Sequence, residues 1–247
     1  MSDWIPLECN PEVFNKWANK AGLVSSSAQF YDIYGLDPEL LSMVPRPVKA
    51  VVLVFPYGEA RDRRRAEDER IAKEGGPNVD ETVFWAKQTV PGACGTMALI
   101  HGLANSDVTL APESPLRKFI DECKDKSSFD RGKHLGNSPL LRDIHASLAR
   151  EGQSAPPLRD NVDQAYTCFV VAPSPPGAVS EAASNSDADA TNSTPQRIVE
   201  LDGTRAGPVD RGVCTDLVDD VARIVKEDFI KNSNSVKFSL MYLGQPM

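Results

Sequence analysis

The segment from Gln88 to Asn105, QTVPGACGTMALIHGLAN, sets the strongest limit on how this chain can fold. Met97, Ala98, Leu99, Ile100, Leu103 and Ala104 leave a helix there with no polar face, and such a helix has to lie at the centre of a core. Pro91 bars helix further upstream, and Gly92 or Gly95 permits close approach of backbone or ligand. Cys94 thus falls at or beside the N-terminus of a buried helix, where the dipole favours thiolate over thiol. Gln88, six residues earlier, carries a neutral amide able to hold an oxyanion. A solitary cysteine in apolar surroundings is commonly just a small packed hydrophobe. Here the amide donor, the flanking glycines and the buried helix favour a nucleophile.

What can surround that helix is bounded by 247 residues, 41% of them hydrophobic, which suits a single domain spanning residues 1–247, or two small ones. No apolar run approaches membrane-spanning length, and Met1-Ser2-Asp3-Trp4 has no signal-like character. Five cysteines at positions 9, 94, 123, 168 and 214 form neither a disulfide framework nor a zinc spacing. That usage fits a reducing compartment, cytosol or nucleus. A net charge of −8 argues against a general nucleic-acid binder. The residues require no metal or organic cofactor, and a monomer is the default expectation.

Along the chain, Trp4 to Glu8 reads as a short strand. Asn10-Pro11-Glu12 opens a helix that Gly22 stops, with Val13, Phe14, Trp17, Ala18 and Ala21 inward. Asp37-Pro38 starts a short helix with Leu40, Leu41 and Val44 inward, and Val48 to Phe55 is a buried strand. Arg61 to Glu74 predicts a solvated, charged helix rather than a binding patch. Two further helices open at Ser114-Pro115 and Asn137-Ser138-Pro139, the latter with Leu140, Leu141, Ile144 and Leu148 inward. Arg150 to Asp163 is an exposed loop, and Ala165 to Val171 a second buried strand. Residues 173–195, poor in large apolar side chains, form a disordered insertion within the domain. Arg197 to Leu201 is a strand, Thr215 caps an amphipathic helix, and Val236 to Tyr242 closes the chain. Mixed strands and helices make the fold α/β or α+β.

The wording QTVPGACGTMALIHGLAN resembles the active-site segment of the ubiquitin C-terminal hydrolase family, which are papain-like cysteine peptidases. WIPLECNPEVFNKWANKAGL, FYDIYGLDPELLSMVPRPVKAVVLVFP, VELDGTRAGPVDRG and VKFSLMYLG are similar to other family segments, so the likeness spans nearly the whole chain outside the insertion. The resemblance implies a central antiparallel sheet flanked by helices, papain-like, with a knotted backbone. It implies Cys94 as nucleophile, Gln88 as oxyanion donor and Asp202 as the triad acid. Ubiquitin or a ubiquitin-like modifier is the implied partner, held around Ile5, Pro6 and Leu7 and along a crossover loop at 150–163. The implied reaction is hydrolysis at the ubiquitin C-terminal glycine, releasing small adducts.

One position departs from the family pattern. Where family members place the histidine, in a context like Asp-Leu-His-Phe, this chain has Asp163-Gln164-Ala165-Tyr166. Alanine cannot accept a thiol proton, protonate a leaving amine or pair with Asp202. Asp202 is then expected to bond Tyr166 or water, or to serve as the turn residue before Gly203. His101, about 10 Å along the helix from Cys94, reads as a packed residue. His134 and His145 lie outside the triad motifs and are the remaining candidates for a base. Two readings follow: a strongly impaired peptidase, or a protein that binds ubiquitin without turnover. Retention of Gln88 and Cys94 suits a recent or engineered change; natural loss of the base is the other origin. A third reading, an unrelated scaffold with a structural cysteine, ignores the motif.

Overall fold

A computed structural model describes residues 4–76, 78–153, 163–175 and 195–247. In chain order its elements are α1 (Pro11–Ala21), β1 (Gln29–Ile33), α2 (Pro38–Leu41), β2 (Ala50–Pro56), α3 (Tyr57–Glu74), α4 (Cys94–Ala104), α5 (Pro115–Glu122), α6 (Ser128–Gly136), α7 (Pro139–Leu148), β3 (Gln164–Pro173), β4 (Gln196–Leu201), β5 (Val209–Val213), α8 (Leu217–Ile224) and β6 (Ser239–Gly244). The strands form one antiparallel sheet in the order β1-β6-β2-β3-β4-β5.

The run AVVLVFP makes β2 buried at every position, because helices cover both sheet faces around it. One face carries Val52, Val54, Tyr166, Cys168 and Val170 against the central helix α4 and against α1. The other carries Val51, Leu53, Phe55, Ala165 and Phe169 against α8 and its continuation, wider π-type turns over Val225–Ile230. Met97, Leu99, Ile100 and Leu103 of α4 are almost wholly removed from water. Each contributes on the order of 1.5–3 kcal/mol to the core.

Local chemistry sets most helix starts. Asn10 Oδ1 accepts the Glu12 N–H at 2.8 Å, Pro11 fills the first helical position, and the chain turns out at Gly22. At α8 the cap is Asp216, whose carboxylate accepts the N–H groups of Val218 and Asp219. Thr215, the expected cap, instead bonds Asp220.

Other expectations need correction. Trp4 to Glu8 is no strand: it lies as an irregular segment over the first turn of α4. Leu140 is exposed although Leu141 and Leu148 are buried, and Val236 stands outside β6 at 94% exposure. Three elements had no strong pattern of their own: the edge strands β1 and β5, and α6. Most of the 150–163 loop and of the 173–195 insertion lies outside the described residues. The insertion's two ends meet, since the Ser174 N–H donates to Pro195 O at 3.0 Å.

Candidate active site

Cys94 is the first residue of α4 and is half-buried. Its neighbour Ala93 offers no side-chain cap, so the first-turn N–H groups are left to face the sulfur. Burial pushes the Cys94 thiol up to about 11, helped by the charge of Asp202 and opposed by the N–H groups of Gly95, Cys94 and Tyr166. The N–H groups at the helix terminus do favour thiolate, as expected, but burial outweighs them. Removing the sulfur from water costs more than three backbone dipoles return.

The segment carrying Gln88 is fastened along α4. Asn105 takes both backbone groups of Phe84, its Oδ1 accepting the N–H at 2.7 Å and its Nδ2 donating to the carbonyl at 2.8 Å. One turn earlier His101 Nε2 accepts the Ala86 N–H at 3.1 Å. Burial lowers His101 to about 4, which keeps the ring neutral and able to accept. Lys87 N–H then donates to Ser128 O at 2.9 Å, and Gln88 N–H to Gly203 O at 2.8 Å. His101 is the packed residue expected of it, with a positioning task besides.

The N-terminal segment closes the site from another side. Gly92 has φ +78°, and a Cβ there would sit 1.9 Å from Trp4 O, so only glycine fits. The Tyr166 hydroxyl donates to Leu7 O at 2.8 Å. His145 joins this segment to α4: its Nδ1 meets Thr96 Oγ1 at 2.8 Å and its Nε2 meets Ile5 O at 2.7 Å. His134 bonds Glu122 at 2.6 Å. The hydrogen-bond partners found for the three histidines are Ala86, Thr96, Ile5 and Glu122. Leu7 is buried, which leaves half-buried Ile5 and Pro6 as the accessible part of that trio.

Ala165 stands in the first positions of β3, opposite Phe55, and is only 6% exposed. Asp202 is buried just beyond β4, and its carboxylate has no vacant oxygen. Oδ1 accepts from Thr204 N–H and Oγ1, both at 2.7 Å. Oδ2 accepts from Arg64 Nη2 at 2.7 Å. Arg64 from α3, not Tyr166, holds the carboxylate, while the Thr204 N–H bond to Oδ1 and the Arg205 N–H bond to the Asp202 carbonyl make Asp202 the turn residue expected before Gly203. Tyr166 points its hydroxyl to the other face of the sheet, towards Leu7.

Arg64 is the site residue that sequence reasoning missed. The charged helix does turn most side chains to solvent, but Ala60 and Arg64, one turn apart, are buried. Arg64 Nη2 also donates to Glu200 Oε1 at 2.6 Å, and Thr167 donates to the same oxygen at 3.0 Å. Burial alone would raise the Glu200 carboxyl, yet Arg211, Arg64 and Arg205 hold it well below the usual carboxylate range. Arg64 itself is held above its ordinary value, Glu200 and Asp202 outweighing its burial. Glu200 in the apolar run Ile198-Val199-Glu200-Leu201 was the available signal: a carboxylate inside a buried strand requires a cation.

Comparison with known proteins places this geometry. The family model for ubiquitin carboxyl-terminal hydrolase, family 1, matches residues 4–231. A ubiquitin carboxyl-terminal hydrolase 3 of Arabidopsis thaliana is 30% identical, with 98% of this chain and 94% of that protein covered. A ubiquitin carboxyl-terminal hydrolase of Drosophila melanogaster is 31% identical, with 98% of each covered. The crystal structure of the Trichinella spiralis UCH37 catalytic domain bound to ubiquitin vinyl methyl ester superposes with a TM-score of 0.69 at 24% identity, covering 99% of this chain and 97% of that one. At that identity the superposition speaks for the fold. With a family model over most of its length and relatives of its own size, the chain belongs to the ubiquitin C-terminal hydrolases, a family of thiol peptidases.

Proposed function

We propose that this chain engages the C-terminal glycine of ubiquitin, or of a ubiquitin-like modifier, and hydrolyses its small adducts only slowly. Cys94 Sγ would attack the glycine carbonyl, with Gln88 and the Cys94 N–H as donors to the oxyanion. The bond to the leaving amine would break to give a thioester, which water opens. Each step needs a group that takes and returns a proton, and Ala165 supplies none. Cys94, held as thiol at neutral pH, has no imidazole to deprotonate it. Ala165 is the observation that carries this reading.

A second reading, a ubiquitin-binding protein with no turnover, is favoured by one further observation. The carboxylate of Asp202 already accepts three hydrogen bonds, two from Thr204 and one from the Arg64 guanidinium, so it is engaged with a cation other than an imidazole. One experiment separates the readings. Binding of ubiquitin is measured by calorimetry, and turnover of a ubiquitin C-terminal fluorogenic amide beside a histidine-bearing relative. The proposal expects retained binding and turnover about 10⁴-fold lower. Undetectable turnover with retained binding selects the second reading. Turnover near that of the relative sinks both.

A further inference from the structure

Besides Ala165, a second residue bears on this site, and it lies 101 residues earlier, on α3. Arg64 lays its guanidinium over Phe55, 4.9 Å from the ring centroid, and Phe55 is the cross-strand partner of Ala165. Thr167, two residues along β3 from Ala165 and on the same face, shares Glu200 Oε1 with Arg64. The guanidinium thus sits on the sheet face to which the Ala165 Cβ belongs, inside the same apolar cluster as Phe55, Phe169 and Phe229. Ala165 is only 6% exposed, so a larger side chain there would face this cluster rather than solvent. An imidazole placed there meets a cation on the carboxylate it would use.

We propose that Arg64 engages Asp202 in place of an imidazole, so that hydrolysis stays slow even when a histidine is put at position 165. A triad carboxylate works by fixing the imidazole tautomer and by stabilising the imidazolium formed as the proton is taken. Arg64 weakens both contributions by competing for the carboxylate and neutralising its charge. It occupies Oδ2 at 2.7 Å, while Thr204 fills Oδ1. Its fixed positive charge also opposes a second positive charge alongside. Reconstitution therefore needs two changes, the histidine and the release of Asp202. Removing the guanidinium does not leave Glu200 without a cation, because Arg211 Nε holds Glu200 Oε2 at 2.7 Å. The inference rests on the impaired-member reading above, and its test is built to fail separately from it.

The experiment compares full-length A165H with A165H/R64M. One readout is NMR titration of the new imidazole without ubiquitin, the other hydrolysis of a ubiquitin C-terminal fluorogenic amide. In A165H the ring is expected to titrate at about 6.5 or lower and to lack the downfield Nδ1 proton of a carboxylate-bound imidazole. Adding R64M is expected to raise that pKa, bring in the downfield proton and increase hydrolysis about 100-fold over A165H. The proposal is overturned if A165H alone hydrolyses as fast as the double variant. It is also overturned if the single variant already shows a raised, carboxylate-bound imidazole. Should the R64M change prevent folding, the titration of A165H decides by itself. Loss of ubiquitin binding in every variant would refute the functional reading while leaving the imidazole titration to judge Arg64.

Discussion

The backbone N–H of Gln88 donates to the carbonyl of Gly203 at 2.8 Å, tying the segment before the nucleophile helix to the turn after Asp202. A Cβ on residue 203 would lie 2.9 Å from Gln88 Cβ and 3.0 Å from Gln88 N, so the two strands of chain touch through the missing side chain. Gly203→Ala is expected to lower unfolding free energy by about 1–3 kcal/mol, read by chemical denaturation. The same variant should slow labelling of Cys94 by a ubiquitin-based electrophile, because Gln88 moves with the strand that carries it.

Gly92 is a harsher test of how the N-terminal segment is held. Its φ of +78° and the 1.9 Å approach to Trp4 O leave no room for a side chain. Gly92→Ala should cost about 2–4 kcal/mol, combining backbone strain with displaced packing, and should lower Tm in a thermal melt. An unchanged Tm would mean that the segment over α4 contributes nothing to stability.

Two buried imidazoles make stability fall in mild acid. Burial lowers both His101 and His145 to about 4, while unfolded imidazoles titrate near 6.5. Between those values the unfolded chain binds more protons, so stability rises with pH there. The contribution is fully present above about pH 6.5 and is lost as pH falls towards 4, at up to about 3 kcal/mol for each ring. Denaturation midpoints measured at half-unit intervals should show that slope, and His145→Asn should roughly halve it.

Reactivity of the nucleophile should climb well past neutrality. With the Cys94 thiol at about 11, its alkylation by a small electrophile is expected to rise about tenfold per pH unit from 7 to 10. A plateau near pH 7 would instead reveal a thiolate stabilised by a group that does not touch the sulfur in this fold.

Glu200 tests the arginine network directly. Glu200→Gln removes the charge that Arg64, Arg205 and Arg211 share, leaving buried cations short of a partner. A loss of about 3–5 kcal/mol is expected in denaturant unfolding.

Residues close together in sequence announced much of this molecule. The all-apolar α4, the proline and asparagine that open α1, and the fully apolar β2 are local statements, settled by side-chain chemistry within a turn or two. The motif around Cys94 and the alanine at 165 were equally legible, because each is one residue in a recognisable context. The edge strands β1 and β5 were not, since short half-exposed strands gain their stability from the neighbour they pair with.

The chain's own order of residues determined which groups stand in the site. Tertiary structure alone decided what the remaining groups do. Burial overrides the helix dipole at Cys94, and Asp202 is given to a cation from a helix that looked entirely solvated. Both outcomes turn on desolvation and on the meeting of residues more than a hundred positions apart. Neither quantity is carried by any local stretch of sequence.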